Sequence, residues 1–268
     1  MQLLLEILSY PFMQRALVGG VLLGILLASL GVVATLRRMA FFGEGVAHAS
    51  LAGLAIAVLT GLSPLPVAIL WSLLVALAIF VLEKRTTLPR DTVIGILFTA
   101  SMSLGVVLMS FMHGYQPELL TFLFGSILAV DSTDVVFIAV ATVVILTGLA
   151  ATARPLVLMS LNEDAARVAG VRTNALTLML YFALAVAMVL GVHMLGIILV
   201  SALLIIPSAT ARLLSSSLRS YVILANVLSV IAVVAGLILS FIFDLPSGAT
   251  IVLVATVIFG IATIVRRA

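Results

Sequence analysis

Two residues with metal-binding side chains stand four positions apart near the start of a long apolar segment. They are Glu44 and His48, in the stretch FFGEGVAHAS at residues 41–50. A spacing of four residues places two side chains on one face of an α-helix. A carboxylate and a neutral imidazole are suitable ligands for Zn²⁺, Mn²⁺ or Fe²⁺, and an ionisable residue at membrane depth is usually functional. The pair therefore predicts a metal-ion site.

Two ligands are too few for a tight site, so the pattern also predicts how the site is completed. A twofold-symmetric dimer would bring together two copies of Glu44 and two of His48, and four nitrogen and oxygen ligands satisfy a tetrahedral ion. The alternative is structural, with Glu44 capping the helix at the membrane interface and His48 hydrogen-bonded to a neighbouring helix. The nearby Arg37 and Arg38 favour this alternative, because they indicate an interfacial depth.

A second polar cluster lies in the longest charged stretch, at residues 154–174. Asn162 is a suitable N-cap, and Glu163 and Asp164 suit the positive end of a helix. Gly170 is a suitable C-terminal stop. The stretch therefore predicts a short cytosolic helix between two spans. This helix is either an ordinary amphipathic connector or a docking element for a soluble partner.

A proline interrupts one of the apolar segments. Pro207 lies in the stretch LLIIPSATAR at residues 203–212. A proline inside a helix frees a backbone carbonyl and bends the helix. Pro207 is therefore either a static packing kink or a hinge near an inner gate.

The composition shows that membrane-spanning helices must position these residues. Of the 268 residues, 64% are hydrophobic and 9% are charged, whereas a soluble domain has about 25% charged residues. Nucleic-acid-binding, secreted and soluble-enzyme classes are therefore excluded. The chain has no Cys, which excludes disulfides and thiolate metal sites. Its one lysine, Lys84, does not follow the glycine-rich loop of a nucleotide-hydrolysing site.

Long apolar runs alternate with short polar loops that carry turn signals. Because only helices and closed barrels cross lipid, and a helix needs about 20 apolar residues to do so, we predict an all-α polytopic membrane protein. Residues 1–268 form a single transmembrane domain in this prediction. The apolar segment at 119–130 is too short to span, which predicts a re-entrant or interfacial helix on the external side. The nine predicted spans are residues 16–36, 46–62, 64–82, 93–111, 134–152, 175–192, 195–211, 221–242 and 249–265.

The positions of the basic residues predict an orientation, because Lys and Arg concentrate on the cytoplasmic side of membrane proteins. With the N-terminus outside and the C-terminus inside, all but one of the 13 basic residues fall on the inner side. Arg15 is the exception. The external loops are acidic or neutral, so charge and span count agree.

Several short stretches form a pattern in their order and spacing. The most distinctive is SALLIIPSATAR at residues 201–212. The pattern Glu-x-Ala-Ala-x3-Gly at 163–170 accompanies it, together with RRMAFFGE at 37–44, HAS at 48–50, EKR at 83–85, DTVIG at 91–95 and LFGSIL at 123–128. Through these stretches the chain resembles the membrane subunit of bacterial zinc, manganese and iron ABC importers.

This resemblance implies a homodimeric permease in the bacterial cytoplasmic membrane. It implies two ATPase subunits and an extracytoplasmic metal-binding protein as partners, with no chemistry on a covalent bond and no permanently bound cofactor. Glu44 and His48 would hold the transported ion within the membrane. The family commonly has Asp where Glu44 stands, and the longer side chain changes the reach of the ligand. The resemblance also implies an ATPase-coupling helix formed by Glu163, Asp164, Ala165, Ala166, Arg167 and Gly170.

Other membrane-protein functions predict different sequence features. A secondary metal/proton carrier predicts several buried carboxylates, and the predicted spans contain almost none besides Glu44. An intramembrane hydrolase predicts a Ser/His, Asp/Asp or His-Glu-x2-His constellation, which the spans lack. A permease for a metal chelate predicts a longer chain and a bulkier pore. The sequence therefore favours an ATP-driven permease that moves Zn²⁺, Mn²⁺ or Fe²⁺ by alternating access.

Overall fold

The computed structural model describes residues 10–111 and 131–267. All regular secondary structure in these residues is helical. The helices are α1 (Pro11–Leu36), α2 (Ala40–Thr60), α3 (Pro64–Arg85), α4 (Arg90–Met109), α5 (Ser132–Ala151), α6 (Ala153–Leu161), α7 (Glu163–Val168), α8 (Thr173–Leu195), α9 (Ile197–Leu214), α10 (Leu218–Phe243) and α11 (Ser247–Arg267).

Within the described ranges, nine helices are long and apolar enough to cross a membrane. The prediction of nine spanning helices is thus confirmed, with α6 and α7 as the two short helices between spans. The apolar segment predicted at 119–130 lies outside the described residues.

Most of the helices begin before the predicted residue, whereas α2, α4 and α5 end slightly earlier than predicted and α9 begins slightly later. The largest difference is at α2, which was predicted from residue 46 and begins at Ala40. Hydropathy finds only the apolar part of a helix, whereas backbone hydrogen bonds continue through polar residues. As a result Glu44 lies inside α2, in its second turn, and not at its start.

The described residues fall into two compact units. The first contains α9, α10 and α11 with most of α1, and the second contains α2, α3, α4, α6, α7 and most of α8, while α5 contributes to both.

Small residues bring the helices of the second unit close together. The helix α2 packs against both α3 and α4. A methyl group built on Gly53 would lie 2.8 Å from the Cα atom of Ala68 in α3, and one on Gly105 of α4 would lie 3.1 Å from the backbone nitrogen of Ala52. Such contacts give the close helix approach that is typical of membrane proteins.

A hydrogen-bond chain joins the same three helices. The indole Nε1 of Trp71 in α3 donates to the Ser101 hydroxyl in α4 at 2.8 Å. That hydroxyl donates in turn to the backbone carbonyl of Ala49 in α2 at 2.9 Å. No role was predicted for Trp71. The structure shows that Trp71 holds α3 and α4 against α2, the helix that carries Glu44 and His48.

In the first unit, α9, α10 and α11 pack on one another, and glycines of α1 contact two of them. A methyl group on Gly31 would lie 1.9 Å from the backbone oxygen of Leu204 in α9. Nearer the N-terminus of α1, the Ser229 hydroxyl of α10 donates to the Gly24 carbonyl at 2.9 Å. The backbone of α1 is therefore in direct contact with both helices.

Candidate functional site

Glu44 and His48 lie one turn apart on α2, and both side chains are half-buried. The close packing of α2 depends in part on Gly45, where a methyl group would lie 2.8 Å from Ile94 of α4. The two side chains therefore project from a helix whose position is firmly set by its neighbours.

The ring of His48 is oriented by its own helix. Its Nδ1 lies 3.0 Å from the backbone oxygen of Glu44. Since a carbonyl oxygen only accepts, Nδ1 is the donor in this bond, and in a neutral imidazole Nε2 then keeps a lone pair. The ring edge of Phe98 packs against the imidazole, with the ring centroids 5.3 Å apart and the planes at 75°. This is the tautomer in which a histidine binds a metal through Nε2.

The structural alternative for the pair does not match this geometry. The N-cap position of α2 is Met39, so Glu44 does not cap the helix, and His48 bonds its own helix and not a neighbour. Within residues 10–111 and 131–267, the Glu44 carboxylate has neither an ion pair nor a hydrogen bond. No cluster of three or more His, Asp or Glu side chains suited to a metal ion occurs in the same residues, so the predicted site has only Glu44 and His48 from one chain.

The short helix predicted after Asn162 is confirmed as α7. The side-chain oxygen of Asn162 accepts a hydrogen bond from the Ala165 backbone nitrogen at 3.0 Å, as an N-cap does. At the other end Gly170 has φ of +80°, and the Val171 nitrogen donates to the Ala166 carbonyl at 3.0 Å. This is the Schellman ending that glycine favours. The preceding helix α6 was not predicted.

One face of α7, together with the last residue of α6, is strongly exposed. The Asp164 side chain is 93% exposed, and the apolar residues Leu161 and Val168 are 81% and 91% exposed. Only Ala166 of α7 is buried. An acidic group flanked by two apolar side chains is a surface suited to a protein partner. The sequence pattern indicated Asp164 but missed Leu161 and Val168.

Glu163, on the other face of α7, contacts three arginines and holds α7 against the rest of the second unit. Its Oε1 lies 2.8 Å from Nη2 of Arg167 on α7. Its Oε2 lies 3.5 Å from Nη2 of Arg37, which precedes α2, and 3.4 Å from Nη2 of Arg90 at the start of α4. Burial alone would raise the pKa of the Glu163 carboxyl, but the Arg167 hydrogen bond and the charges of Arg37 and Arg90 hold this pKa below its ordinary value.

Arg37 is the most buried charged group of this cluster, with 2% of its side chain exposed. Burial, and then the positive charge of Arg90, lowers the pKa of its guanidinium, whereas Glu163 acts in the opposite direction. Its Nε and Nη1 atoms have no hydrogen-bond partner in the described part of the chain. An unsatisfied buried donor costs about 1–3 kcal/mol. No contact was predicted for Arg37 from its position in the sequence.

A second set of contacts extends from Arg90. Its Nε pairs with the Glu83 carboxylate at the end of α3. The other Glu83 oxygen accepts from the Tyr181 hydroxyl of α8 at 2.5 Å. The Tyr181 ring packs on Phe42 of α2, with centroids 4.4 Å apart. Spacing along the sequence gave no signal for the two Tyr181 contacts, since its partners Glu83 and Phe42 are about 100 and 140 positions away.

A polar cavity lies beside this cluster. Its volume is about 500 Å³. Acidic and basic side chains are equally represented in its walls, so it has no preference for either sign of charge. Its lining residues are Phe80, Glu83, Lys84, Arg90, Glu163, Asp164, Arg167 and Thr177.

Pro207 lies inside α9 and is buried. The following residue, Ser208, directs its hydroxyl to the carbonyls of Leu204 and Ile205, at 3.1 and 2.9 Å. The Thr35 hydroxyl of α1 lies 3.1 Å from the same Ser208 oxygen. Polar groups thus surround the interrupted turn, as is usual where a proline weakens a membrane helix.

Two further acidic residues lie at the start of α5. Asp131 pairs with Arg15 at 3.5 Å, and Asp134 lies 3.9 Å from Nε2 of His193. These contacts give each residue a structural role within the first unit.

Comparison with known proteins covers nearly the whole chain. The profile of the ABC 3 transport family matches residues 9–266. The manganese transport system membrane protein MntC of Halalkalibacterium halodurans is 37% identical, over 96% of this chain and 88% of its own length. The high-affinity zinc uptake system membrane protein ZnuB of Haemophilus influenzae is 30% identical, over 96% of this chain and 99% of its own.

A solved structure shares the fold. This is PsaBC from Streptococcus pneumoniae in complex with Fab, which superposes with a TM-score of 0.86 at 31% identity. The superposition covers 97% of this chain and 94% of the other. The similarity therefore includes both units and not one helical segment alone.

Proposed function

Because this chain belongs to the ABC 3 transport family, we infer that it is the permease subunit of an ATP-driven metal-ion importer. The observation that carries this inference is the family match, which extends over residues 9–266. The subunit itself spans the membrane and is not an enzyme. Separate ATPase subunits supply the energy of hydrolysis.

We propose that the transported ion is a divalent transition metal, Zn²⁺, Mn²⁺ or Fe²⁺, and that Glu44 and His48 bind it during passage. Relatives named for manganese and for zinc support the class of substrate. The orientation of His48 and the Glu44 carboxylate, which has no partner within residues 10–111 and 131–267, support the site. Oxygen and imidazole ligands suit all three metals.

A second copy of the chain completes this site. One chain offers two ligands on α2, and a twofold axis beside α2 doubles them to four. Incomplete coordination in each half helps the ion to leave when the two copies move apart. A metal-binding protein on the outer side delivers the ion.

The coupling helix is α7, and its exposed face receives the ATPase. The exposed Asp164, Leu161 and Val168 support this role, since they form a mixed acidic and apolar patch. Residues 163–170 then lie in the cytoplasm, which places the N-terminus outside and the C-terminus inside. Pro207 serves as a hinge in α9 as the pathway alternates between the two sides.

Uptake by the complete complex in liposomes tests the metal site. We expect the variant Glu44→Ala/His48→Ala to lose Mn²⁺ and Zn²⁺ uptake while the assembled complex still hydrolyses ATP. His193→Ala is the matched control, because it removes an imidazole that lies outside the site. Uptake at the unmodified rate in the double variant would exclude Glu44 and His48 as ligands.

A separate experiment tests the binding of the ATPase subunits to α7. We expect Asp164→Lys to weaken copurification of the ATPase subunits, because it reverses the charge of the most exposed residue of α7. Unchanged copurification and unchanged uptake per ATP would exclude α7 as the docking element.

A further inference from the structure

The proposed function gives separate roles to the coupling helix α7 and the metal-binding helix α2. The charge cluster around Glu163 connects these two helices. Glu163 opens α7, and Arg37 stands three residues before α2 begins. The two side chains are 3.5 Å apart. A movement of α7 therefore acts on the start of α2 directly.

A second route joins the same two helices. It runs from Glu163 to Arg90, then to Glu83 and to the Tyr181 hydroxyl. The Tyr181 ring then contacts Phe42, two residues before Glu44. The two routes hold the beginning of α2 at Arg37 and at Phe42, so they restrain both its position and its rotation.

The Arg37 side chain is held in an incompletely satisfied arrangement. It is 2% exposed, its contact with Glu163 is long, and two of its nitrogens have no partner within the described residues. The next residue, Arg38, has φ of +57°, which is uncommon for a residue with a side chain. A rearrangement that gives Arg37 better partners would therefore recover free energy that the present arrangement lacks.

We propose that Arg37 is a positioning residue that transmits movement of the coupling helix to Glu44 and His48, with Arg90, Glu83 and Tyr181 forming a parallel path. This proposal rests on the proposed function, since it needs α7 to receive the ATPase and α2 to bind the ion. Arg37 carries a positive charge and its side chain is only 2% exposed, so it suits neither metal coordination nor direct contact with the ATPase. Replacing Arg37 should therefore uncouple ATP hydrolysis from metal transport, while both activities remain measurable.

The test measures metal ions transported per ATP hydrolysed by the complete complex in liposomes, with Mn²⁺ and Zn²⁺ as probes. We expect Arg37→Gln to keep the ATPase subunits bound and ATP hydrolysis active, but to lower this ratio about tenfold, within the range seen for residues that couple distant sites. Arg37→Lys, which keeps the charge, should restore part of the loss.

The double variant Arg37→Gln/Glu163→Gln distinguishes a shared path from two separate effects. If the pair acts as one unit, the double variant should be no worse than the more affected single variant. Losses that multiply, or a ratio unchanged in Arg37→Gln, would overturn the proposal. Arg219→Gln is the matched control, because it makes the same change at an exposed arginine of the first unit, outside the path to α2.

Tyr181→Phe keeps the test decisive if Arg37→Gln does not fold. This variant removes only the hydroxyl that bonds Glu83 and leaves the ring against Phe42. We expect a smaller fall in the ratio, about threefold, and no further loss when it is combined with Glu163→Gln. An unchanged ratio in Tyr181→Phe would then overturn the proposal.

The two proposals fail in different ways. If Asp164→Lys leaves the ATPase bound and the ratio unchanged, α7 is not the docking element. If Asp164→Lys uncouples the complex but Arg37→Gln does not, docking is correct and the path through Arg37 is not.

Discussion

At the scale of single residues, the local environment of a side chain decides which role it has. His48 is directed by the Glu44 carbonyl and by Phe98, so its free nitrogen is fixed before any ion arrives. Glu163 shows the opposite case, since three arginines hold its charge and make it part of the structure. The environment of His48 suits a ligand that binds an ion transiently, whereas the environment of Glu163 suits a residue that holds helices together.

The chemistry of Glu44 is tested by two conservative changes. Glu44→Gln keeps the length of the side chain but removes its charge, so we expect Mn²⁺ and Zn²⁺ uptake to fall at least about tenfold. Glu44→Asp keeps the charge on a side chain one methylene shorter, so uptake should persist with a changed preference between the metals. Competition between Mn²⁺ and Zn²⁺ in liposome uptake measures both. Equal uptake by Glu44→Gln and the unmodified protein would contradict a ligand role.

Acid should weaken the contacts of Glu163 in a defined pH range. Its pKa is lowered by folding from an ordinary value of 4.5, so its contribution to stability is fully present above that value and is lost as the pH falls through the lower, folded-state pKa. The difference in unfolding temperature between unmodified protein and Glu163→Gln should therefore be constant above about pH 5.5 and shrink below about pH 4.

Thermal unfolding in detergent across this pH range measures that difference. Asp164→Asn provides the comparison, because Asp164 is almost fully exposed and its removal should change stability little. A Glu163→Gln difference that stays constant throughout the range would contradict the lowered pKa.

At the scale of helices, small residues decide how closely the elements pack. Gly31 of α1 and Gly53 of α2 each leave room for the backbone or side chains of a neighbouring helix. Other glycines have no such role, since a methyl group on Gly148 of α5 meets no heavy atom within 4 Å in the described residues. Position, and not residue type, therefore determines what a glycine contributes.

This contrast predicts opposite effects of one substitution. Gly31→Ala should destabilise the protein by about 1–3 kcal/mol or more, because the new methyl group would lie 1.9 Å from the Leu204 carbonyl. Gly148→Ala should be neutral or stabilise by about 0.5–1 kcal/mol, since alanine favours a helix. Unfolding temperatures in detergent compare the two. A Gly31→Ala variant as stable as Gly148→Ala would show that α1 and α9 do not pack as described.

Helix existence was predictable from the sequence because it depends on local properties. Apolar runs identified the nine spans, and Asn162 with Gly170 identified α7. The contacts of Arg37, Glu83 and Tyr181 were not predictable, because they depend on which helices become neighbours. The helix α6 was missed since its residues at 153–161 read as part of a charged loop, with Arg154 at its start.

At the scale of the whole molecule, the distribution of charge and apolar surface determines how the chain lies in lipid. Among the described helices, α5 has a broad exposed face that is largely apolar, with Val136, Val140 and Val144 each at least 58% exposed. Lipid or a second copy must cover such a face. The basic residues, in contrast, gather at loops that the proposed topology assigns to the cytoplasm.

The proposed orientation is tested by labelling single cysteines in intact cells, since the chain has no Cys of its own. A membrane-impermeant reagent should label Leu62→Cys and Leu245→Cys, whose parent residues are exposed in loops assigned to the outside. It should label Asp164→Cys only after the cells are opened. Labelling of Asp164→Cys in intact cells would reverse the orientation and remove α7 from contact with a cytoplasmic ATPase.

The contacts of Trp71 give the molecule an intrinsic optical reporter. It is the sole tryptophan of the chain, and its indole nitrogen reaches α2 through one serine hydroxyl. Any displacement of α2 against its neighbours alters the polarity around this indole and hence its emission. Fluorescence of the purified subunit can thus report such a displacement, with Ser101→Ala as the variant in which the indole no longer reaches α2 through a hydroxyl.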